Sequence, residues 1–245
     1  MIKMLTVTDI GLRRQTNQDA LACSAEGQQP QWALVCDGMG GHAAGNIAAE
    51  MACTSLSKAM QHGLRPDMGE RSVHLLLETA VENASSAIFQ RTLAEPELKG
   101  MGTTLVAAVV LGNQLCLCHA GDSRAYLMRH GQAYPITKDH SVVQQLIDRG
   151  EITPKQATTH PERHFITKAL GVADHRVAPD FNVYDLQQGD VVLLCSDGLH
   201  GLVAQSELPL LCQTAIENQT AAGLAERANQ MGGSDNISAV LIYNF

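Results

Sequence analysis

Trp32-Ala33-Leu34-Val35-Cys36-Asp37-Gly38 is an apolar run that ends in an aspartate followed by a glycine. The run Trp32–Cys36 reads as a strand. An aspartate at its end can point its carboxylate out of a sheet, and the glycine lets a backbone carbonyl approach a ligand closely. The pattern returns at Cys195-Ser196-Asp197-Gly198, after the apolar run that begins at Val191. One such motif is usually a plain turn. Two, each closing an apolar strand, point to a shared site.

Short strands are predicted before the first motif at Met4–Asp9 and Leu21–Ser24. After it, apolar residues recur at three- and four-residue spacing, which predicts helices from Ala43 to Met60 and from Glu70 to Leu93. Strand-like runs at Thr104–Leu111, Gln114–His119, Arg124–Met128 and Ala133–Ile136 follow. They are split by Gly112-Asn113 and His130-Gly131 and read as a β-meander. From Asp139 to Gly171 the chain is polar and broken by Pro154 and Pro161, as in an inserted lid. Strands at Phe181–Leu186 and Val191–Ser196, helices at Ser206–Ile216 and Ala221–Met231, and a strand at Ile237–Tyr243 complete the pattern. Taken alone, it supports one α+β domain.

The chain has 245 residues, of which 45% are hydrophobic and 4% aromatic, so the core must be aliphatic. A net charge of -8 argues against nucleic-acid binding, which needs a basic face. No apolar run approaches the roughly 18 residues of a membrane span. The first residues are too polar for a secretory signal. The seven cysteines, an odd number without a C-x-x-C pair, fit reduced thiols in the cytoplasm.

Five segments set polar clusters beside apolar strands: Arg14–Asp19, Asp37–His42, Gly121–Arg124, Ser196–Gly198 and Gly233–Asn236. Each carries an aspartate. Hard divalent cations such as Mg²⁺ and Mn²⁺ prefer such oxygen donors. Two of them about 3.5–4 Å apart can supply a hydroxide for in-line attack on phosphorus. Arg14, five residues before Asp19, is the candidate to receive a phosphate dianion.

From about Thr8 to Tyr243 these motifs, in this order, resemble the bacterial metal-dependent protein phosphatases (PPM, protein phosphatase 2C-like). The resemblance implies a four-layer α-β-β-α sandwich of two central antiparallel β-sheets flanked by helices. It implies one catalytic domain over residues 1–245 with a flap at about 139–171. It also implies hydrolysis of phosphoserine and phosphothreonine on proteins with two Mn²⁺ or Mg²⁺ ions and a weaker third. Asp37 would bridge both metals and serve catalysis, with Asp197 and Asp235 completing one shell. The Gly38 carbonyl and Asp19 would serve the other, Asp122 would hold the third, and Arg14 would bind phosphate. Asn236 would orient the site. The implied partners are phosphoproteins, a cognate Ser/Thr kinase and a phosphothreonine-binding protein, as in kinase control of type VI secretion. A cytoplasmic monomer without membrane or nucleic-acid partners is expected.

The chain departs from the family pattern at Gln18, usually glutamate; Met39, histidine in eukaryotic members; and Lys168, usually arginine. With methionine at 39, the leaving group would take its proton from His42 or from a metal-bound water, and His42 reads equally as a helix-start residue. Three rival readings stand beside the phosphatase. A catalytically inactive phosphoprotein-binding domain would be expected to lack a bridging aspartate. A metabolite phosphatase is barely distinguished by sequence. Cys118-His119-Ala120-Gly121-Asp122-Ser123-Arg124 matches the C-x5-R pattern of cysteine-dependent phosphatases, although that chemistry needs a strand-to-helix phosphate loop. Gly38–Ala43 nearly fits a dinucleotide fingerprint but lacks the second parallel strand. The ten histidines show no zinc spacing.

Overall fold

The computed structural model describes residues 2–41, 44–172 and 177–245. Its strands are β1 (Lys3–Asp9), β2 (Asp19–Cys23), β3 (Gln31–Met39), β4 (Gly102–Thr103), β5 (Leu105–Leu111), β6 (Gln114–Ala120), β7 (Arg124–Arg129), β8 (Gln132–Pro135), β9 (Asp180–Asp185), β10 (Val191–Cys195) and β11 (Ile237–Tyr243). Its α-helices are α1 (Ala44–Gly63), α2 (Glu70–Ala94), α3 (Val142–Asp148), α4 (Pro154–Ala157), α5 (Asp197–His200), α6 (Leu208–Glu217) and α7 (Ala222–Gln230).

One sheet runs β1-β11-β10-β7-β8 and the other β2-β3-β5-β6-β9, with β4 paired to the end of β3. All pairings are antiparallel. The period-2 alternation of strands explains why β3, β5 and β11 are apolar at every core position. In β5, Leu105, Ala107 and Val109 face α1 and α2, while Val106, Ala108 and Val110 face the other sheet. In β11, Ala239 and Leu241 face α6 and α7, while Val240 and Ile242 meet the opposite sheet. The strands are therefore covered on both faces, and the four-layer α-β-β-α arrangement is present. The stripe of α1 that meets the sheet is built from Ala48, Ala49, Ala52, Leu56 and Met60; its alanines allow close approach.

Three expectations change. The four middle strands are not one meander: β5–β6 belongs to one sheet and β7–β8 to the other. The chain crosses between sheets through Gly121, Asp122 and Ser123, where Gly121 takes a left-handed φ of 116°. A Cβ there would press on Thr104. β3 does not end at Cys36 but runs to Met39, because β4 pairs Thr103 with Gly38 and Gly102 with Met39. Asp37 is thus held inside a strand, whereas Asp197 opens α5, so the two Asp-Gly motifs take different local structures. Finally, β2 begins at Asp19 rather than Leu21, which places Asp19 directly opposite Asp37.

The segment from Asp139 to Gly171 carries α3 and α4, each capped by a hydroxyl: Ser141 on α3, and Thr153 with Gln156 in a capping box on α4. It is tied to the body at both ends. The His140 N–H donates to the Gly121 carbonyl (2.8 Å), and Leu170 bridges to Thr103.

Candidate metal centre and phosphate site

Arg14, Asp37, Gly38, Asp122, Asp197 and Asp235 line one cleft of about 560 Å³ at the end of the two sheets. They arrive from five elements: the β1–β2 loop, β3 (Asp37 and Gly38 together), the sheet crossing, the start of α5 and the loop before β11. Asp19 stands behind this cleft on β2. Its Oδ2 accepts the Ser196 hydroxyl (2.8 Å), and its Oδ1 is buried with no hydrogen-bond partner. The backbone around Asp37 is pinned on both sides. Its N–H donates to Thr104 Oγ1 (3.0 Å) and its carbonyl accepts the Thr104 N–H (2.9 Å).

Gly38 is a glycine of necessity. A Cβ there would run into the backbone carbonyl oxygens of Gly45 and Gln18, so α1 and the β1–β2 loop both pass against this point of β3. Asn236, buried before β11, acts as a clamp. Its Oδ1 accepts the Gln18 N–H (2.8 Å), and its Nδ2 donates to the carbonyls of Ile10 (2.9 Å) and Thr16 (3.0 Å). Those two anchors bracket the loop that carries Arg14.

The carboxylates are strained by their own company. Burial pushes Asp19 up to about 7, with the charges of Asp197 and Asp235 adding to it and the Ser196 and Ser238 hydroxyls opposing. Burial raises Asp122 to about 7 as well, reinforced by Asp197 and Asp139. Asp37 is pushed well above the carboxylate range by burial and then by Asp19, Asp197 and Asp122. Asp197 is raised by burial and by Asp235, against its hydrogen bond to Asp37. One counter-charge at the cleft is Arg14, whose Nη2 donates to Asp235 Oδ2 at 2.6 Å.

A group of this kind accepts hard cations. Its donors are all oxygens, its charges repel, and one buried oxygen has no partner. Among the described residues no three His, Cys, Asp or Glu side chains are close enough to hold an ion unaided. That is compatible with a hard cation such as Mg²⁺, which usually keeps several waters, so the side chains need not close around it unaided. Carbonyls such as that of Gly38 supply further oxygens.

The expected site residues therefore converge, apart from His42, which lies outside the described residues. The structure adds Arg163, His164 and Ile166 of the flap, which line the same cleft. The polar, proline-broken segment marked a lid, but nothing in its pattern showed which of its residues reach the cleft.

The cysteine reading is excluded by the same geometry. Cys118 is a fully buried residue of β6 whose thiol is pushed up to about 12, by burial first, where a nucleophile needs a lowered value. Arg124 does not close a phosphate loop. It begins β7 and is held by Asp139 through two hydrogen bonds of 2.7 Å.

Two antiparallel sheets with an all-oxygen cation centre and an arginine at its mouth define a metal-dependent phosphate-hydrolysing class of fold. Comparison with known sequences agrees: the protein phosphatase 2C profile matches residues 12–231. The chain belongs to the protein phosphatase 2C family. It is 39% identical over 234 residues to the serine/threonine protein phosphatase PstP of Mycobacterium tuberculosis, covering 96% of this chain but 43% of PstP. It is 35% identical over 236 residues to the serine/threonine phosphatase stp of Listeria innocua, covering 96% of this chain and 93% of stp. The solved PstP catalytic domain in complex with two manganese ions superposes with a TM-score of 0.85 at 36% identity, covering 99% of this chain and 97% of that one.

Proposed function

We propose that this chain is a Mn²⁺- or Mg²⁺-dependent protein phosphatase acting on phosphoserine and phosphothreonine. The observation that carries the reading is the convergence of Asp19, Asp37, Asp122, Asp197 and Asp235 behind Arg14, with burial raising four of them. Bound cations would lower the pKa of water and offset phosphoryl charge. Asp37, the Gly38 carbonyl, Asp19, Asp197 and Asp235 would hold two of them, and Asp122 a third. Arg14 binds the substrate phosphate through its planar fork. Asn236 keeps the Arg14 loop in place. No bridging aspartate is missing, which disfavours the inactive binding domain.

The reading extends to residues 1–245 as one catalytic domain whose flap, 139–171, contributes Arg163 and His164 to the cleft. The partners are phosphoproteins, an opposing Ser/Thr kinase and a phosphothreonine-binding protein, met by a monomer in the cytoplasm. Among the described residues no helix is long and apolar enough to cross a membrane.

The test is turnover of p-nitrophenyl phosphate and a phosphothreonine peptide with Mn²⁺, with Mg²⁺ and with EDTA. Turnover driven by the cation, stopped by EDTA and lost in Asp235→Ala is expected. Activity that survives EDTA would sink the assignment, and preference for small phosphometabolites over the peptide would move it to another substrate class.

A further inference from the structure

The described chain exposes nine large apolar side chains, and three of them belong to one platform beside Arg14. Leu12 is 65% exposed, Met231 47% and Ile10 40%. Leu12 lies two residues before Arg14, and its N–H donates to the Gly233 carbonyl at 2.8 Å. Gly233 is followed by Ser234 and Asp235, which line the catalytic cleft, and Met231 ends α7 two residues before it.

This platform is rigid. Gly11 has a left-handed φ of 77°, and a Cβ there would run into the Asp235 carbonyl oxygen. Its N–H donates to Asp9 Oδ1 (2.7 Å), an oxygen that also accepts Asn229 Nδ2 (3.1 Å). The Ile10 carbonyl is held by Asn236. The loop so fastened holds Leu12 out in water. A single exposed apolar side chain is ordinary; several on adjoining backbone segments are what a contact site requires.

We propose that Leu12, with Met231 and Ile10 around it, forms an apolar ledge that binds a hydrophobic side chain of the phosphoprotein substrate next to the phosphorylated residue. The proposal rests on the phosphatase reading. The occupant follows from continuity with the phosphate site: Leu12 and Arg14 are two residues apart, at most about 7 Å along the chain. A peptide whose phosphate meets Arg14 therefore lays a neighbour, within about two residues, on the ledge. The ledge selects among phosphoproteins, whereas a substrate without flanking residues does not reach it.

The experiment compares kcat/KM, with Mn²⁺, for paired phosphothreonine peptides carrying Leu or Ser beside the phosphothreonine, and for p-nitrophenyl phosphate. Wild type, Leu12→Ser and Met231→Ser are measured, with Leu210→Ser as a control on α6, where Leu210 is 73% exposed. Wild type is expected to favour the Leu peptide by about fivefold or more, the scale of half-burying one leucine. Leu12→Ser is expected to reduce that preference to about twofold or less through KM, leaving p-nitrophenyl phosphate and the melting temperature unchanged. Equal turnover of the paired peptides by wild type overturns the proposal. So does a Leu12→Ser loss shared equally by both peptides and p-nitrophenyl phosphate, or a preserved preference with an altered solution mass, which would make the ledge a contact between copies. If wild type turns over none of the substrates, the phosphatase reading fails instead. Peptide affinity by fluorescence anisotropy then still reads the ledge.

Discussion

Asn236→Ala tests the site at the point where stability and chemistry meet. Asn236 is 4% exposed, and its side chain makes three hydrogen bonds that join the lead-in to β11 to the Arg14 loop and to the start of β2. Alanine leaves the Gln18 N–H, itself on a buried residue, without its acceptor. An unsatisfied buried donor costs about 1–3 kcal/mol, and two further lost bonds add about 0.5–1.5 kcal/mol each where water does not replace them. A loss of about 3 kcal/mol follows, or about 6–12 °C in Tm for a domain of this size. Because Ile10 and Thr16 bracket Arg14, the loop also loosens, and KM for p-nitrophenyl phosphate should rise several-fold. Asn236→Asp separates the contributions. It keeps the acceptor for Gln18 but loses both donors, and it adds a charge beside Asp19 and Asp235. It should be at least as unstable as the alanine variant at pH 8 and recover when acidified enough to protonate the new carboxyl. Urea unfolding, thermal melts and phosphate inhibition constants measure these effects. An Asn236→Ala protein within about 0.5 kcal/mol of wild type, the range of an ordinary surface substitution, and with unchanged KM would refute the clamp.

Gly38→Ala should cost about 3 kcal/mol or more, since its Cβ meets the fixed carbonyls of Gly45 and Gln18; soluble yield and Tm measure this. Cys118→Ser should keep Mn²⁺-dependent turnover while lowering Tm by a few degrees, because a hydroxyl replaces a thiol in a buried strand. In the cation-free protein, folded Asp19 and Asp122 hold protons up to about 7, whereas the unfolded chain releases them near the ordinary value of about 4. The native state then binds more protons across that window, so stability falls as pH rises from about 4 to 7 and levels off above. Added Mn²⁺ compensates the ionised carboxylates, so its gain in Tm should be larger at pH 8 than at pH 5.5; an equal gain at both would contradict the electrostatic account.

The elements were legible because their signals are local. Ile237–Tyr243 is a strand with the bounds its apolar run predicts, and the two long N-terminal helices end within a few residues of theirs. Strand ends were less legible where pairing decides them. Nothing within Asp37-Gly38-Met39 shows that Gly102 and Thr103 will extend β3 past Cys36. The apparent meander failed for the same reason: its hairpin turns are local, but the sheet each hairpin joins depends on β9, β10 and β11.

By itself, the sequence determined the alternation of apolar strands and amphipathic helices and the five aspartate-bearing motifs, from which the family resemblance and its four layers follow. Periodicity and motif spacing are properties of neighbouring residues. Only the tertiary structure decided which motifs share a charge field. It set Asp19 opposite Asp37 and brought Arg14 to Asp235 across 221 positions of chain. It gave Arg124 to Asp139 rather than to a phosphate, so that one C-x5-R pattern became inert core. Such pairings depend on sheet order, crossing loops and burial, which raises the carboxylate pKa values only once strands far apart in sequence have closed around them.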